Sequence, residues 1–384
     1  MLPLTIWMNM PSFHQDDLFT SLADSGEVDL RVVFAKQLTA DRVRLGWKVG
    51  ARQYRHHTLR TPHAVAEAFR IARRERDRLH VVNGIWAESA FAAALAALSL
   101  SGSRFVIHSE APEPEQRRSP VRRSLRSGYG KWVARHAAGV LAISRLAEDF
   151  YRDLGFGGAA LYPFGYFRAL SEHPKVIAEA AGRSRTEILF VGQLIRRKGV
   201  DVLLDALAPL WAEYPSLSLT LIGDGEERTA LQSLAADAGS GERVTFTGAL
   251  PADEVRMRMA AADLLVLPSR WDGWGMVVNE ALAAGVPAVV STRCGAGDLI
   301  RHGVNGYAFD SEDARGLRDC LRRFCSQSAE ARMAMRRAAL VTGESVDANV
   351  ASRYLVACLR HAAGITPDKP VAPWLAPSLL GAGR

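Results

Sequence analysis

Short β-rich runs alternate with amphipathic helical runs along this chain; the series runs through completely, breaks, and starts again. Parallel sheets covered by helices look like this in sequence, because each strand must return to the same edge through a helix. In the first half LTIWMNM, VDLRVVFA, HVVNGIW, RFVIHSE and GVLAIS are the expected strands, and DDLFTSLADS, PHAVAEAFRIARRERDR and ESAFAAALAALSLS carry apolar residues at three-to-four spacing. A polar, uneven stretch, RALSEHPKVIAEAAGRSRTE, interrupts the alternation. It resumes with EILFVGQL, LSLTLIGDG, RVTFTGAL, DLLVLPS and PAVVST, joined by helical patterns that include VDVLLDALAPLWAEY. From Asp310 to about Ala363 the chain reads as helical, and TPDKPVAPWLAP is a tail either loosely packed or strapped across the surface.

The expected fold class is therefore α/β, with two Rossmann-like domains facing across a cleft. The first domain spans 1–165, a linker 166–186, the second domain 187–345, and a C-terminal helix and tail 346–384, with a path open back to the first domain. A chain of 384 residues, 48% hydrophobic, has enough material for two cores, which excludes a collagen or a disulfide miniprotein. Open α/β sheets bind ligands beyond the carboxyl ends of their strands, so chemistry is expected in the cleft.

The net charge of +7 lies in one half: residues 1–180 hold 25 basic and 18 acidic groups, and the remainder holds 23 of each. Its densest stretch, RRSPVRRSLRSGYGKWVARH, places Arg117, Arg118, Arg122, Arg123, Arg126, Lys131 and Arg135 together without an acid. Two readings stand: a solvated face, or a patch on an anionic membrane with Leu125, Tyr129, Trp132 and Val133 as apolar anchors. Nucleic acid is not expected as a partner, since no recognition module accompanies the patch. The four cysteines, Cys294, Cys320, Cys325 and Cys358, show neither a C-x-x-C pair nor zinc spacing and read as buried small hydrophobes in a reducing compartment. No signal peptide is read at MLPLTIWMNMPSF, and the longest apolar run, SAFAAALAALSL, is well short of the roughly 20 residues needed to span a bilayer. A cytoplasmic protein is expected, with any membrane contact peripheral and on the inner face.

The most informative stretch is LPSRWDGWGMVVNEALAAGVPAVVS, where a strand, a loop of Asp272, Gly273, Trp274 and Gly275, and a helix follow one another. Free main-chain N–H groups at such a junction can hold a phosphate, and glycines let the backbone approach it. Asp272 and Glu280 stand eight positions apart, so both carboxylates can face one bound molecule; alternatively Asp272 is a helix cap and Glu280 a solvated helix residue. In EILFVGQLIRRKGVDVLLDAL another strand ends in a Gly192 turn and a basic loop, where Arg197 and Lys198 stand placed to neutralise a diphosphate. A third strand ends in Gly223-Asp224-Gly225, by itself only a turn signal.

In this order VGQLIRRKGVDVLL, LIGDGEER, VTFTGAL, LLVLPSRWDGWGMVVNEALAAGVPAVVS and GAGDLIRHGVNGYAF resemble the retaining, GT-B-fold glycosyltransferases of family 4 over residues 187–309. In the first domain the resemblance is confined to HSE at 108–110, GVLAISRLAEDFYRDLGF and LYPFGYF. It implies that Asp272 takes the first acidic position of the family's E-x7-E motif, touching the transferred sugar, and Glu280 the second, binding ribose hydroxyls. Lys198 would neutralise the diphosphate, with Arg197 and Gln193 beside it. The backbone of Gly273, Trp274, Gly275 and Met276 would hold sugar and phosphate oxygens, and Gly248 to Pro251, with Leu250, would lie beside the base. His108 would face sugar and acceptor hydroxyl; without the resemblance its own residues favour a satisfied histidine at a strand end.

Three positions depart from the family pattern. Asp272 replaces the usual Glu and is one methylene shorter, Gln193 stands where Arg is frequent, and MNMPSFHQDD lacks the common Gly-Gly turn, leaving Asn9, Ser12 and His14 to shape the acceptor site.

The resemblance implies transfer of a sugar from a nucleotide diphosphate sugar, UDP- or GDP-linked, to a glycan or lipid-linked acceptor hydroxyl with retention. Neither a cofactor nor a metal is expected, because Lys198 and the loop N–H groups take the charge-stabilising role and no D-x-D ends a strand. Competing readings are a catalytically silent nucleotide-sugar or membrane-binding assembly partner, which the Asp272 and Gln193 departures favour, and a nucleotide-sugar epimerase.

Overall fold

Two all-parallel sheets organise the protein. The structure, a computed structural model, describes residues 1–39, 52–113, 120–169 and 185–376, without the side chains of 13, 14, 120–123 and 159. Most of the expected linker, residues 170–184, and the end of the tail lie outside the described residues. By its contacts the chain divides into two units, the first made of Met1–Ala169 and Asp347–Pro373, the second running up to Val346.

In the first unit β1 (Leu2–Met8), β2 (Val28–Phe34), β3 (Arg55–Thr58), β4 (Leu79–Asn83), β5 (Phe105–Glu110), β6 (Gly139–Ile143) and β7 (Leu161–Phe164) form a sheet of order β3-β2-β1-β4-β5-β6-β7. Strand β6, GVLAI, is buried throughout, as a strand covered on both faces must be. Helices Ala64–Arg74 and Ser89–Leu100 cover one face, burying Ile71, Phe91, Leu95 and Leu98 against Val82, Phe105 and Ile107. Strand β3 reads Arg-His-His-Thr and has no apolar alternation, yet it pairs with β2 from Arg31↔Arg55 to Phe34↔Thr58. It is an edge strand, where backbone pairing substitutes for side-chain burial.

The second unit repeats the plan with β8 (Thr186–Val191), β9 (Leu217–Ile222), β10 (Val244–Gly248), β11 (Leu264–Leu267), β12 (Ala288–Ser291) and β13 (Gly306–Phe309), in the order β10-β9-β8-β11-β12-β13. Strand direction of growth reverses between β8 and β11, which pair through Leu264↔Ile188 and Leu265↔Leu189. The helix expected over VDVLLDALAPLWAEY is broken into Val200–Leu207 and Leu210–Glu213, because Pro209 has no N–H to continue the ladder. Helix Ala329–Ser345 lies so close behind the helix Val277–Ala283 that a Cβ on Gly343 would sit 2.5 Å from the Ala283 main chain. Buried Arg336 ties the same region together, donating to the carbonyls of Ala262 at 2.6 Å and Gly285 at 3.3 Å.

The last helix, Ala348–Ala362, belongs to the first unit. Ser21 Oγ donates to Asn349 Oδ1 at 2.8 Å, and Tyr354 donates to the Pro163 carbonyl at 2.9 Å. Lys369 in the tail donates to the Gly158 carbonyl at 2.9 Å, so this part of the tail is strapped to the surface.

The apolar anchors expected on the basic patch require correction. On helix Pro120–Ala134 Val133 is fully buried, and Tyr129 and Trp132 pack against the core, Tyr129 donating to the Ala92 carbonyl at 3.2 Å. Of the four expected anchors only Leu125, 69% exposed, projects from the patch. The three-to-four spacing that buries one face also carries these three aromatics and aliphatics inward. Arg117 and Arg118, and the side chains of Arg122 and Arg123, lie outside the described residues. No described helix is long and apolar enough to cross a membrane. The described cysteines are free; Cys325 is half-buried, the other three buried.

Candidate active site

The loops that follow β8 and β11 meet at the point where strand order reverses, the position at which open α/β sheets bind their ligands. After β8 the chain makes a 3-10 turn, Arg196–Lys198, and enters its helix through Gly199 at φ 68°. A Cβ on Gly199 would lie 2.2 Å from the Pro268 carbonyl oxygen at the end of β11, so only glycine lets the two loops close. Gly199→Ala is accordingly expected to cost roughly 1–2 kcal/mol for the left-handed backbone alone, more with the clash. A melting temperature lowered by at least about 2 °C checks this; an unchanged value contradicts the close approach.

The closed loops bring together side chains that stand 74 residues apart: Lys198 Nζ donates to Asp272 Oδ2 at 2.5 Å, with both side chains about 15% exposed, at 15% and 14%. Arg197 Nη1 donates to the Trp271 carbonyl at 2.8 Å, so its guanidinium braces the Asp272 loop. Gln193 is exposed beyond β8.

Asp272 does not cap the following helix. That helix, Val277–Ala283, has Met276 at its N-cap position, without a side-chain cap. Asp272 instead pairs with the segment after β12: its N–H donates to the Arg293 carbonyl, and its carbonyl accepts from Gly295 N, both at 3.0 Å. The Trp274 carbonyl accepts from Ala296 N at 2.7 Å and from the buried Cys294 thiol at 2.9 Å. Burial pushes that thiol well above its ordinary range. The Trp274 indole turns inward, 2% exposed, and donates to Asn279 Oδ1 at 2.8 Å. Gly275, at φ 94°, could carry no side chain, since a Cβ would meet Cys294 Sγ at 2.6 Å. Among the described residues the N–H groups of Gly273, Trp274 and Gly275 donate no hydrogen bond to protein. Glu280, half-buried on the helix, lies beyond them.

The loops after β9 and β10 complete this end of the sheet. Gly223 N donates to the Gly248 carbonyl at 2.9 Å, Leu194 N to the Asp224 carbonyl at 2.9 Å, and Arg228 Nη2 to the Phe246 carbonyl at 3.3 Å. Gly248 and Leu250 are half-buried there. A cation, unengaged N–H groups and a carboxylate thus gather at one strand-end site, an arrangement that receives an anion beside a hydroxyl-bearing group.

In the first unit Asn9 and Ser12 follow β1, next to that sheet's own reversal between β1 and β4. Asn9 Oδ1 accepts from Met10 N at 2.8 Å, and the Ser12 carbonyl accepts from Gln15 and Asp16 at the start of helix Phe13–Asp24. The His14 side chain lies outside the described residues. His108, on β5, is 6% exposed and packs edge-on against Phe164 and Tyr166 at 5.6 and 6.1 Å. Its Nδ1 has no partner, so it is not a satisfied histidine, and it borders a cavity of about 20 Å³. Burial drives the imidazole down to about 4, which keeps it neutral at pH 7. No group of three or more potential metal ligands is present among the described residues.

No motif pointed to Cys294, Arg270 or Asp201 at these loops, nor to the Tyr166–Glu110 hydrogen bond of 2.6 Å at the end of β5. Each pair closes over a long separation, and no local spacing signals it.

Two family models match the chain, glycosyl transferases group 1 over residues 177–341 and a glycosyl transferase 4-like domain over 13–165. An uncharacterized glycosyltransferase of Methanocaldococcus jannaschii is 38% identical over 119 residues, 31% of this chain and 30% of that protein. A GDP-mannose-dependent alpha-(1-6)-phosphatidylinositol monomannoside mannosyltransferase of Mycolicibacterium smegmatis is 35% identical over 140 residues, 35% of this chain and 37% of its own. The chain therefore spans about a third of the length of these relatives, 30% and 37%. The Anabaena protein HepE, solved in complex with UDP, has the same fold, with a TM-score of 0.73 at 18% identity over 94% of this chain and all of that one.

Proposed function

The chain belongs to the group 1 glycosyltransferases, with a family 4-like N-terminal domain and the two-domain Rossmann-like GT-B fold, and from that premise we propose that it moves a sugar from a nucleotide diphosphate sugar to an acceptor hydroxyl with retention of configuration. The observation that carries the reading is the Lys198–Asp272 pair beside the unengaged N–H groups of Gly273 to Gly275, at the strand-order reversal. In the reaction the bond between the anomeric carbon and the β-phosphate oxygen breaks, and its electron pair stays on the departing diphosphate. Lys198 and the loop N–H groups stabilise that charge without requiring a metal. The acceptor oxygen attacks the same face, and its proton passes to the leaving phosphate. Asp272, Met276 and the loop backbone hold the sugar, Glu280 the ribose, Gln193 and Arg197 flank the diphosphate, and Gly248 and Leu250 lie by the base. His108, neutral at pH 7, offers a hydrogen bond to the sugar, and Asn9, Ser12 and His14 shape the acceptor site.

UDP- and GDP-sugars are the proposed donors: HepE was solved with UDP, and the mycobacterial relative is GDP-mannose-dependent. The phosphatidylinositol monomannoside in that relative's name supports a glycan or lipid-linked acceptor here, and with it cell-surface polysaccharide or glycolipid assembly on the inner face of the membrane, in the cytoplasm. A screen of UDP- and GDP-sugars with acceptor mixtures tests the proposal. Acceptor-dependent release of UDP or GDP is the expected result; turnover without an acceptor points to epimerisation or hydrolysis, and tight binding without turnover to a silent assembly partner.

With its aromatic anchors turned inward, the basic helix is proposed to reach a membrane mainly through charge, from exposed Lys131 and Arg135 beside Leu125. Co-sedimentation with vesicles containing anionic lipid is expected at low salt and to fall away toward 1 M, where the Debye length shrinks to about 3 Å. Binding that ignores lipid charge contradicts it.

A further inference from the structure

Arg270 lies between the two loops of the donor site and touches both. Its main-chain N–H donates to the Arg197 carbonyl at 2.8 Å, and its Nη1 donates to the Arg196 carbonyl at 2.8 Å. Its fork closes on Asp201 in bidentate geometry, Nη1 to Oδ1 at 2.8 Å and Nη2 to Oδ2 at 2.7 Å, while Nε donates to Glu312 Oε1 at 2.9 Å. Only 18% of the side chain is exposed. Hydrogen bonding to Asp201 raises the guanidinium further above its ordinary range; against burial that pushes it up, Arg270 holds the Asp201 carboxyl below the usual one. Glu312 reaches Arg270 from a left-handed backbone, φ 66°, a conformation that side-chain-bearing residues adopt only when the surroundings hold them there.

The partners fall on one structure. Arg196 and Arg197 form the turn that ends in Lys198, Asp201 sits in the first turn of the helix that turn leads into, and Arg270 itself is two residues before Asp272. We propose that Arg270 is a positioning residue that fixes the Lys198 ammonium relative to the Asp272 loop, and that the Asp201 carboxylate orients it for this task. The inference rests on the donor reading above and adds to it the residues that set the cation's place. A planar fork with several donors is needed, because one ammonium cannot span two carboxylates and a carbonyl at once. Lysine at 270 therefore keeps the charge and loses the geometry.

The test is calorimetric titration of UDP and GDP into the full chain and into Arg270→Lys, Asp201→Asn and the double variant, with melting temperatures and, for an active donor, KM and kcat. Each single variant is expected to weaken binding of the preferred nucleotide five- to twentyfold, with KM rising more than kcat falls. The double variant should be no weaker than the weaker single, since both act on one contact. Melting temperatures that fall while nucleotide affinity stays at the wild-type value overturn the positioning role, and so do singles whose losses multiply in the double. If the wild-type chain binds neither UDP nor GDP, the donor reading itself fails and this role with it. Asp201→Asn, which leaves Arg270 its contacts with Glu312 and Arg196, keeps the test available should Arg270→Lys fold poorly.

Discussion

Asp272→Asn is expected to lower sugar transfer by about a hundredfold or more while nucleoside diphosphate binding stays equal or tightens. The first effect follows from removing a charge placed where the proposed reaction puts the sugar, the size of loss seen when one preorganised electrostatic contact to a transition state is deleted. The second follows from geometry: Asp272 Oδ2 is 2.5 Å from Lys198 Nζ, so an incoming diphosphate competes with a carboxylate for the same ammonium. Asparagine keeps the shape and removes both that competition and the repulsion between like charges. A gain of up to about tenfold in affinity corresponds to ~1.4 kcal/mol, within the range of a partly buried charge contact. Parallel measurement of UDP or GDP affinity and transfer rate separates the effects. Equal losses in both show instead that Asp272 mainly builds the site.

Lys198→Met is expected to act in the opposite direction on binding. Losing a charge-assisted hydrogen bond to phosphate costs roughly 1.5–3 kcal/mol, or about ten- to a hundredfold in affinity for UDP or GDP. It also leaves the Asp272 carboxylate, 14% exposed, without its cation, so a loss of stability accompanies it. Combining it with Asp272→Asn restores that stability but not the affinity. Nucleotide binding that survives Lys198→Met within twofold places the diphosphate elsewhere.

Much of this frame is legible in the sequence, and the reasons differ by element. Strands such as GVLAI and AVVS announce themselves because a doubly covered strand is continuously apolar. The loop between β11 and the helix Val277–Ala283 is legible because its glycines and carboxylate stand at fixed offsets between a strand and a helix. Strand β3, Arg-His-His-Thr, is hidden because an edge strand is held by main-chain pairing, which carries no residue pattern. The orientation of Tyr129 and Trp132 is hidden for another reason: an amphipathic helix read alone shows that one face is buried, but alternation of charge with aromatics is compatible with either face. The bracing of the site by Arg270 and Asp201 depends on contacts up to 74 residues apart, which arise only when β8 and β11 become neighbours, and Cys294 reaches the Trp274 carbonyl only where β12 pairs with β11.

The most direct test of the central claim is a crystal structure of the full chain with UDP or GDP bound. A diphosphate oxygen is expected within about 3 Å of Lys198 Nζ, hydrogen-bonded to main-chain N–H groups of Gly273 to Gly275, with the ribose toward Glu280. Nucleotide bound away from these loops, with Lys198 still joined to Asp272 alone, contradicts the account.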